Sequence, residues 1–261
     1  MPAKVALITG ASGGIGAQFA RLFAQAGYDL GLVARSTDAM ETLAGDLSLE
    51  FGVNVKRVAL DLTEADAVER VSERIPECDV LVNNAGFANN GPFATMDERE
   101  MRSEMELDVV ALTRLTRRYL PGMIARRDGR ILNVASTAAF LPGPFMAVYY
   151  ASKAYVLSFS EAIAEEVRGL GVTVTCLCPG ATATGFQRRA KVEGNTILTR
   201  LPLADAANVA KAGFDGLMRG KTVVVPGFTN KLVAISPKIT PRRLLVWLSR
   251  KAVERKSPSS G

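Results

Sequence analysis

Histidine is absent from the 261 residues. Chemistry that needs an imidazole is excluded with it, including a serine–histidine–aspartate triad and a histidine-ligated zinc site. Cysteine is scarce, at Cys78, Cys176 and Cys178 only. An odd number without a metal-like cluster speaks against a disulfide framework, and no metal site is expected. Cys176 and Cys178 alternate along one apparent strand, so they are expected to share a face as small apolar side chains. Long uncharged apolar runs are lacking too, and none reaches the roughly 18 residues that a bilayer requires. The N-terminus, MPAKVALITG, has no basic start followed by a cleavage site. These absences together predict a cytoplasmic protein.

Acidic residues are nearly missing from the C-terminal end. The chain carries +6 overall, but from Lys231 onward eight lysines and arginines face only Glu254. That stretch holds +7, which leaves the first 230 residues at −1. The expected organisation is therefore one domain over 1–230 and a basic tail over 231–261. Because the basic character stops at the tail, a nucleic-acid partner is not expected.

Within 1–230, β-branched apolar runs alternate with helical patterns. KVALIT reads as a strand, Ile15–Ala26 as a helix, DLGLVA as a strand and Thr37–Phe51 as a helix. NVKRVALD, DVLVNN, GRILNVAS, VTVTCLCP and the short TVVVPG are further strands. Nearly continuous apolar strands separated by helices imply an α/β fold, with a parallel sheet covered on both faces.

TGASGGIG, Thr9–Gly16, joins the first strand to the first helix. Glycines there let the backbone approach a pyrophosphate, and the helix N-terminus offers free N–H groups and positive potential. A tight turn with no ligand is the plainer alternative. At the end of the second strand the chain reads Leu32-Val33-Ala34-Arg35, with no acid for a ribose hydroxyl. A guanidinium suits a 2′-phosphate, which favours NADP over NAD; a solvated surface arginine is the alternative.

AVYYASKAY, Ala147–Tyr155, sets two tyrosines before a lysine. On a helix, residues three and four before Lys153 both lie near its face, so Tyr149 and Tyr150 are both open as its partner.

These motifs, with Asn83-Asn84-Ala85-Gly86, Ser136 after the fifth strand, and Pro179-Gly180 followed by Thr182 and Thr184, resemble the short-chain dehydrogenase/reductases. The resemblance runs from about Lys4 to Gly227. It implies a doubly wound Rossmann-type sheet of seven parallel strands in the order 3-2-1-4-5-6-7. It also implies an enzyme that interconverts a carbonyl and a secondary alcohol with NADP(H). The family's tyrosine stands four before the lysine, which selects Tyr149 as acid–base group. Ser136 would bond the reacting oxygen and Lys153 the ribose hydroxyls. Gly10, Ser12, Gly14, Ile15 and Gly16 would meet the phosphates, and Asp61 and Leu62 the adenine. Asn84, Ala85 and Gly86 would lie along the ribose. Pro179, Gly180, Thr182 and Thr184 would meet the carboxamide and pyrophosphate end. Asp108 stands where the family usually has an asparagine that holds a relay water, so it counts among the catalytic candidates. Subfamily features resemble a bacterial group of oxidoreductases without assigned substrates.

Phe140, Leu141, Phe145, Met146 and Phe186 suggest an apolar substrate site, with a substrate loop over 185–203; packing against one another is the alternative. From Pro241, PRRLLVWLSRKAVERK has an amphipathic helical pattern. It could cover the pocket or a subunit partner, lie on an anionic membrane, or bind nucleic acid. The expected assembly is a homodimer or homotetramer. Two other functions compete: an acyl-carrier ketoreductase of the same family, and a non-catalytic NADP-binding regulatory protein.

Overall fold

The structure is a computed structural model, and it describes residues 3–186 and 203–253. Seven parallel strands form one sheet: β1 (Val5–Thr9), β2 (Asp29–Ala34), β3 (Val55–Ala59), β4 (Val80–Asn83), β5 (Gly129–Val134), β6 (Val172–Leu177) and β7 (Val223–Val224). Their order is 3-2-1-4-5-6-7, as the family resemblance implies. The helices are α1 (Gly14–Gln25), α2 (Thr37–Phe51), α3 (Ala67–Arg74), α4 (Glu98–Met105), α5 (Leu112–Arg126), α6 (Ala147–Glu166), α7 (Ala206–Met218), α8 (Phe228–Ile235) and α9 (Arg242–Val253).

Side chains of a strand alternate between faces, so a strand buried on both sides feeds two cores. In β1, Ala6 and Ile8 join Phe19 and Phe23 of α1 and Leu217 of α7 on one face. Leu7 points the other way, to the cluster holding Val71 of α3 and Leu115, Tyr119 and Met123 of α5. Removing a ring such as that of Phe19 would cost about 3–5 kcal/mol. Tyr119 is buried with its hydroxyl satisfied, donating to the Ile75 carbonyl at 2.7 Å.

The strand at one edge, β3, turns Lys56 and Arg57 to solvent, which discourages pairing with another chain. At the other edge β7 has two residues, shorter than the expected run to Gly227. Pro226 has no N–H to give to a ladder. Helix α1 begins and ends one residue earlier than expected, and α2 has the expected limits. Cys176 and Cys178 do share a face, with their sulfurs 3.8 Å apart and buried.

Two features position the site. The chain leaves β1 toward β2 and β3, but β4 lies on the other side of β1 and leads to β5–β7. The crevice between these two windings opens at the strands' C-terminal ends, where α/β sheets bind ligands. The second is the long helical stretch from Glu98 to Arg126. It is broken by a π-helical segment at Glu106–Ala111, between α4 and α5. Such widened turns recur at functional sites because they re-aim side chains.

The tail is helical as expected. In α9, Leu245, Ser249 and Val253 recur every four residues and are buried. Trp247 faces outward and is 54 % exposed. Most of the expected substrate loop, 187–202, lies outside the described residues, as does the chain beyond Val253.

Candidate active site

The glycine turn follows β1 and opens α1. At Gly14 φ is +53°, a conformation costly for any side chain, and a Cβ there would stand 2.9 Å from the Thr184 side chain. At Gly16 a Cβ would fall 2.3 Å from the Gly10 carbonyl oxygen, so only glycine lets α1 sit down on the turn. Gly13 caps α1 without a side-chain hydrogen bond, leaving the first-turn N–H groups for a ligand. Asn84 braces this turn from β4: its amide donates to the carbonyls of Thr9 and Gly10 at 2.9 and 3.2 Å. The Thr9 hydroxyl accepts the N–H groups of Asn84 and Ala85, both at 3.0 Å.

The turn forms one end of a cavity of about 760 Å³. At the glycine end the wall holds Gly10, Ser12, Gly14 and Ile15, with Gly13 added. Arg35, Asp61 and Leu62 line the side next to β2 and β3, and Asn84, Ala85 and Gly86 the floor. Pro179, Gly180, Thr182 and Thr184 close the opposite side, and Ser136, Tyr149 and Lys153 the far end. Two predicted residues do not line it. Gly16 lies behind the turn, and Asp108 lies behind Lys153. Asp108 can therefore act on a reaction through its charge and through the lysine, without touching what the cavity holds.

Arg35 and Asp61 lie 3.4 Å apart and partly exposed. Burial opposes ionisation of Asp61, but the Thr63 N–H and hydroxyl, at 3.0 and 2.9 Å, and then Arg35 hold it below the ordinary carboxylate range. Asp61 thus makes a turn with Thr63, while α3 starts later, after Asp66.

The catalytic candidates converge on α6. The Lys153 ammonium stands 5.5 Å from the Tyr149 ring centre, 3.0 Å from Asp108 Oδ2 and 3.4 Å from the Val134 carbonyl. Tyr150 turns away to pack over Gly143, with its ring edge-on to that of Tyr149. Burial would lower the pKa of Lys153, but the Asp108 carboxylate more than offsets this, so the ammonium is held.

An ammonium near a phenol favours the phenolate, but at Tyr149 burial outweighs it. Burial raises its pKa above 10; Lys153 and Ser136 oppose that rise without cancelling it, and Asp108 adds to it. Burial is the main physical reason, and the carboxylate beside the lysine adds to it by offsetting part of the field that would favour a phenolate.

The apolar expectation holds in part. Met146, Tyr150, Phe186 and Leu203 line the cavity near Tyr149. Phe140, Leu141 and Phe145 do not line it; Phe140 packs with Cys176 and Cys178, and Phe145 lies under Arg250 of α9. Val253 of α9 joins the cluster of Met146 and Tyr149, so the tail helix packs behind the site. Sequence reasoning missed Glu104. It reads as one more polar residue of α4, and its signal was a position four before Asp108.

Among the described residues no cluster could hold a metal ion, and no helix is long and apolar enough to cross a membrane. Residues 4–193 match the family profile described as short chain dehydrogenase. The 3-oxoacyl-acyl-carrier-protein reductase of Vibrio cholerae is 35% identical over 217 residues, 80% of this chain and 87% of that protein. A short-chain dehydrogenase from Sphingobium yanoikuyae, solved in complex with NADPH, superimposes with a TM-score of 0.82 at 30% identity. The match covers 99% of this chain and 100% of that one. A bulky-bulky ketone specific alcohol dehydrogenase from Comamonas testosteroni gives a TM-score of 0.78 at 30% identity, over 89% and 91% of the two chains.

Proposed function

Because the chain belongs to the short-chain dehydrogenase/reductase family, it is an oxidoreductase that interconverts a carbonyl and an alcohol, and we propose that it does so with NADP(H), on an apolar ketone or its alcohol, with Tyr149 as acid–base group. The observation that carries this reading is the meeting, in one cavity, of the glycine turn with Ser136, Tyr149 and Lys153.

The residues present fit a dinucleotide phosphate. Uncapped N–H groups at α1 and the side-chain-free surface of Gly10, Gly13 and Gly14 suit a pyrophosphate. Arg35, with Ala34 before it, suits a 2′-phosphate rather than a ribose diol. The cofactor, when bound, supplies or accepts the hydride.

Everything else falls to the chain. In reduction, Tyr149 donates its hydroxyl proton to the carbonyl oxygen as negative charge develops there, and the Ser136 hydroxyl donates a hydrogen bond to the same oxygen. Lys153 holds a positive charge behind the phenol, which eases loss of that proton. The raised pKa of Tyr149 keeps it protonated at neutral pH, which suits the reductive direction. Met146, Tyr150, Phe186 and Leu203 offer an apolar wall, and the ketone specificity named for the Comamonas enzyme supports a bulky apolar substrate. The Vibrio relative supports a second reading, reduction of a carrier-bound 3-oxoacyl group.

Helix α9 acts as the back wall of the pocket in this reading, through Val253. Phe228, Leu232 and Ile235 form an exposed stripe on α8 that suits a homodimer or homotetramer contact. The outer face of α9, with Leu244, Trp247 and Leu248 beside Arg243, suits contact with an anionic membrane surface.

The test is NADPH consumption over a panel of bulky ketones and 3-oxoacyl thioesters. Tyr149→Phe should lower turnover by at least about a hundredfold while leaving NADPH binding intact, and Tyr150→Phe should lower it much less. The opposite ranking of the two tyrosines would overturn the assignment.

A further inference from the structure

The one fully buried residue of α4 is a glutamate. Glu104 is 0 % exposed, Asp108 1 % and Lys153 5 %. Two carboxylates and one ammonium, all buried, sum to −1 when all are ionised, which burial strongly disfavours. One added proton makes the set neutral.

The hydrogen bonds say where that proton sits. Asp108 Oδ1 accepts the Phe87 N–H at 3.0 Å, and Oδ2 is ion-paired with the Lys153 ammonium at 3.0 Å, so its carboxylate form has an opposite charge beside it. Glu104 Oε2 accepts from the Asn89 N–H and side-chain amide at 3.0 and 2.8 Å, but Oε1 has no hydrogen-bond partner among the described residues. An unserved oxygen costs less on a neutral carboxyl than on a carboxylate. Close approach of this set to the cavity floor depends on Gly86, where a Cβ would stand 2.9 Å from Asp108 Oδ1 and 3.1 Å from Lys153 Nζ.

Among the described residues, α4 packs against the π segment and α6. The titratable groups around Glu104 are accordingly Asp108 on the first, and Lys153 and Tyr149 on the second. The loop from Asn84 to Gly91 brings no ionisable side chain, and Glu100 meets it through its carbonyl, which accepts from Asn89.

We propose that Glu104 is a positioning residue that sets the acidity of Tyr149: protonated, it leaves Asp108 and Lys153 a neutral pair; ionised, it places a net negative charge behind the phenol and holds Tyr149 in its acid form. The proposal rests on the reading of Tyr149 as acid–base group for its catalytic consequence, but not for its electrostatics. Burial first, and then the nearby Asp108 charge, push the carboxyl of Glu104 up to about 7, so the change falls in the physiological range. Losing the proton as pH rises raises the phenol's own pKa, so the enzyme keeps its proton donor, and alcohol oxidation is suppressed on the alkaline side.

Three measurements on the full chain test this. Infrared spectra of the cofactor-free protein should contain a protonated-carboxyl band that fades as pH rises through about 7 and moves on carboxyl-¹³C labelling of glutamate but not of aspartate. No glutamate band would overturn the proposal without any variant having to fold. Ultraviolet titration of tyrosinate, taken as the difference from Tyr149→Phe, should shift to lower pH by about one unit or more in Glu104→Gln, while Glu104→Asp should stay near the wild type. An unshifted titration in the glutamine variant overturns it. Finally, the alkaline limb of alcohol oxidation should move in the same direction by a similar amount. If Tyr149→Phe retains full turnover, the catalytic reading fails, and the first two measurements still decide the role of Glu104.

Discussion

Replacing Glu104 by glutamine should change how stability depends on pH. The folded protein raises this carboxyl from its ordinary 4.5 to about 7, chiefly by burial. Between those values the native state holds a proton that the unfolded chain has released. The stabilisation is therefore complete below about pH 4.5 and is lost as pH rises to about 7. Each pH unit across that window is worth about 1.4 kcal/mol, so the whole effect is about 3 kcal/mol. From pH 5 to pH 8 the wild type should lose about 2–3 kcal/mol from this group, and the glutamine variant none. For a chain of this size that corresponds to about 5–10 °C in Tm. Urea unfolding of both proteins at half-unit pH intervals measures it, and the readout is the difference in slope. A uniform offset between the two curves would report only the fit of the amide. Parallel curves would refute the reasoning, because they would mean that Glu104 binds its proton no better folded than unfolded.

Other outcomes follow from the same geometry. Arg35→Ala should weaken NADPH binding at least about tenfold in a fluorescence titration, the scale of one charged hydrogen bond, and leave NADH little changed; equal losses for both would remove Arg35 from the 2′-phosphate. Asp108→Asn keeps an acceptor for the Phe87 N–H but removes the charge opposing Lys153, with Glu104 left to balance the ammonium. The alkaline rise of alcohol oxidation should then move to lower pH, and an unmoved profile would mean that Asp108 does not influence Tyr149. Truncation after Gly227 removes Val253 from beside Met146 and Tyr149. It should raise KM for a bulky ketone several-fold at unchanged NADPH affinity, and an unchanged KM would make the tail helix an appendage.

Much of the scaffold was legible in one dimension because it depends on local rules. Continuous β-branched runs can be buried only between two layers, so β1–β6 could be read off with their approximate limits. Thr9–Gly16 could be read as a tight strand-to-helix turn that suits a phosphate, because its glycines let the backbone come close. The expected last strand, Thr222–Gly227, was too long: β7 holds Val223–Val224, and Pro226 has no N–H with which to extend the ladder.

The site divided differently. Sequence spacing left Tyr149 and Tyr150 equally near Lys153 on a helix, and only the family motif chose between them. In the fold, packing separates them: Gly143 gives Tyr150 a surface to lie on, and Lys153 faces the Tyr149 ring. Likewise Phe140 and Phe145 read as pocket residues, yet backbone direction turns one toward Cys176 and Cys178 and places the other under Arg250.

The chain of residues by itself determined the parallel sheet and the glycine turn, which follow from local geometry, while the candidate reacting side chains were nominated only by the family motif. Only the tertiary structure decided the charge balance around them. Glu104 is an ordinary helix-surface residue in sequence, and it becomes a buried acid because the π segment, α6 and the Asn89 loop close over it. Acidity depends on burial and on the distances between charges from separate elements, and neither is written in the order of residues.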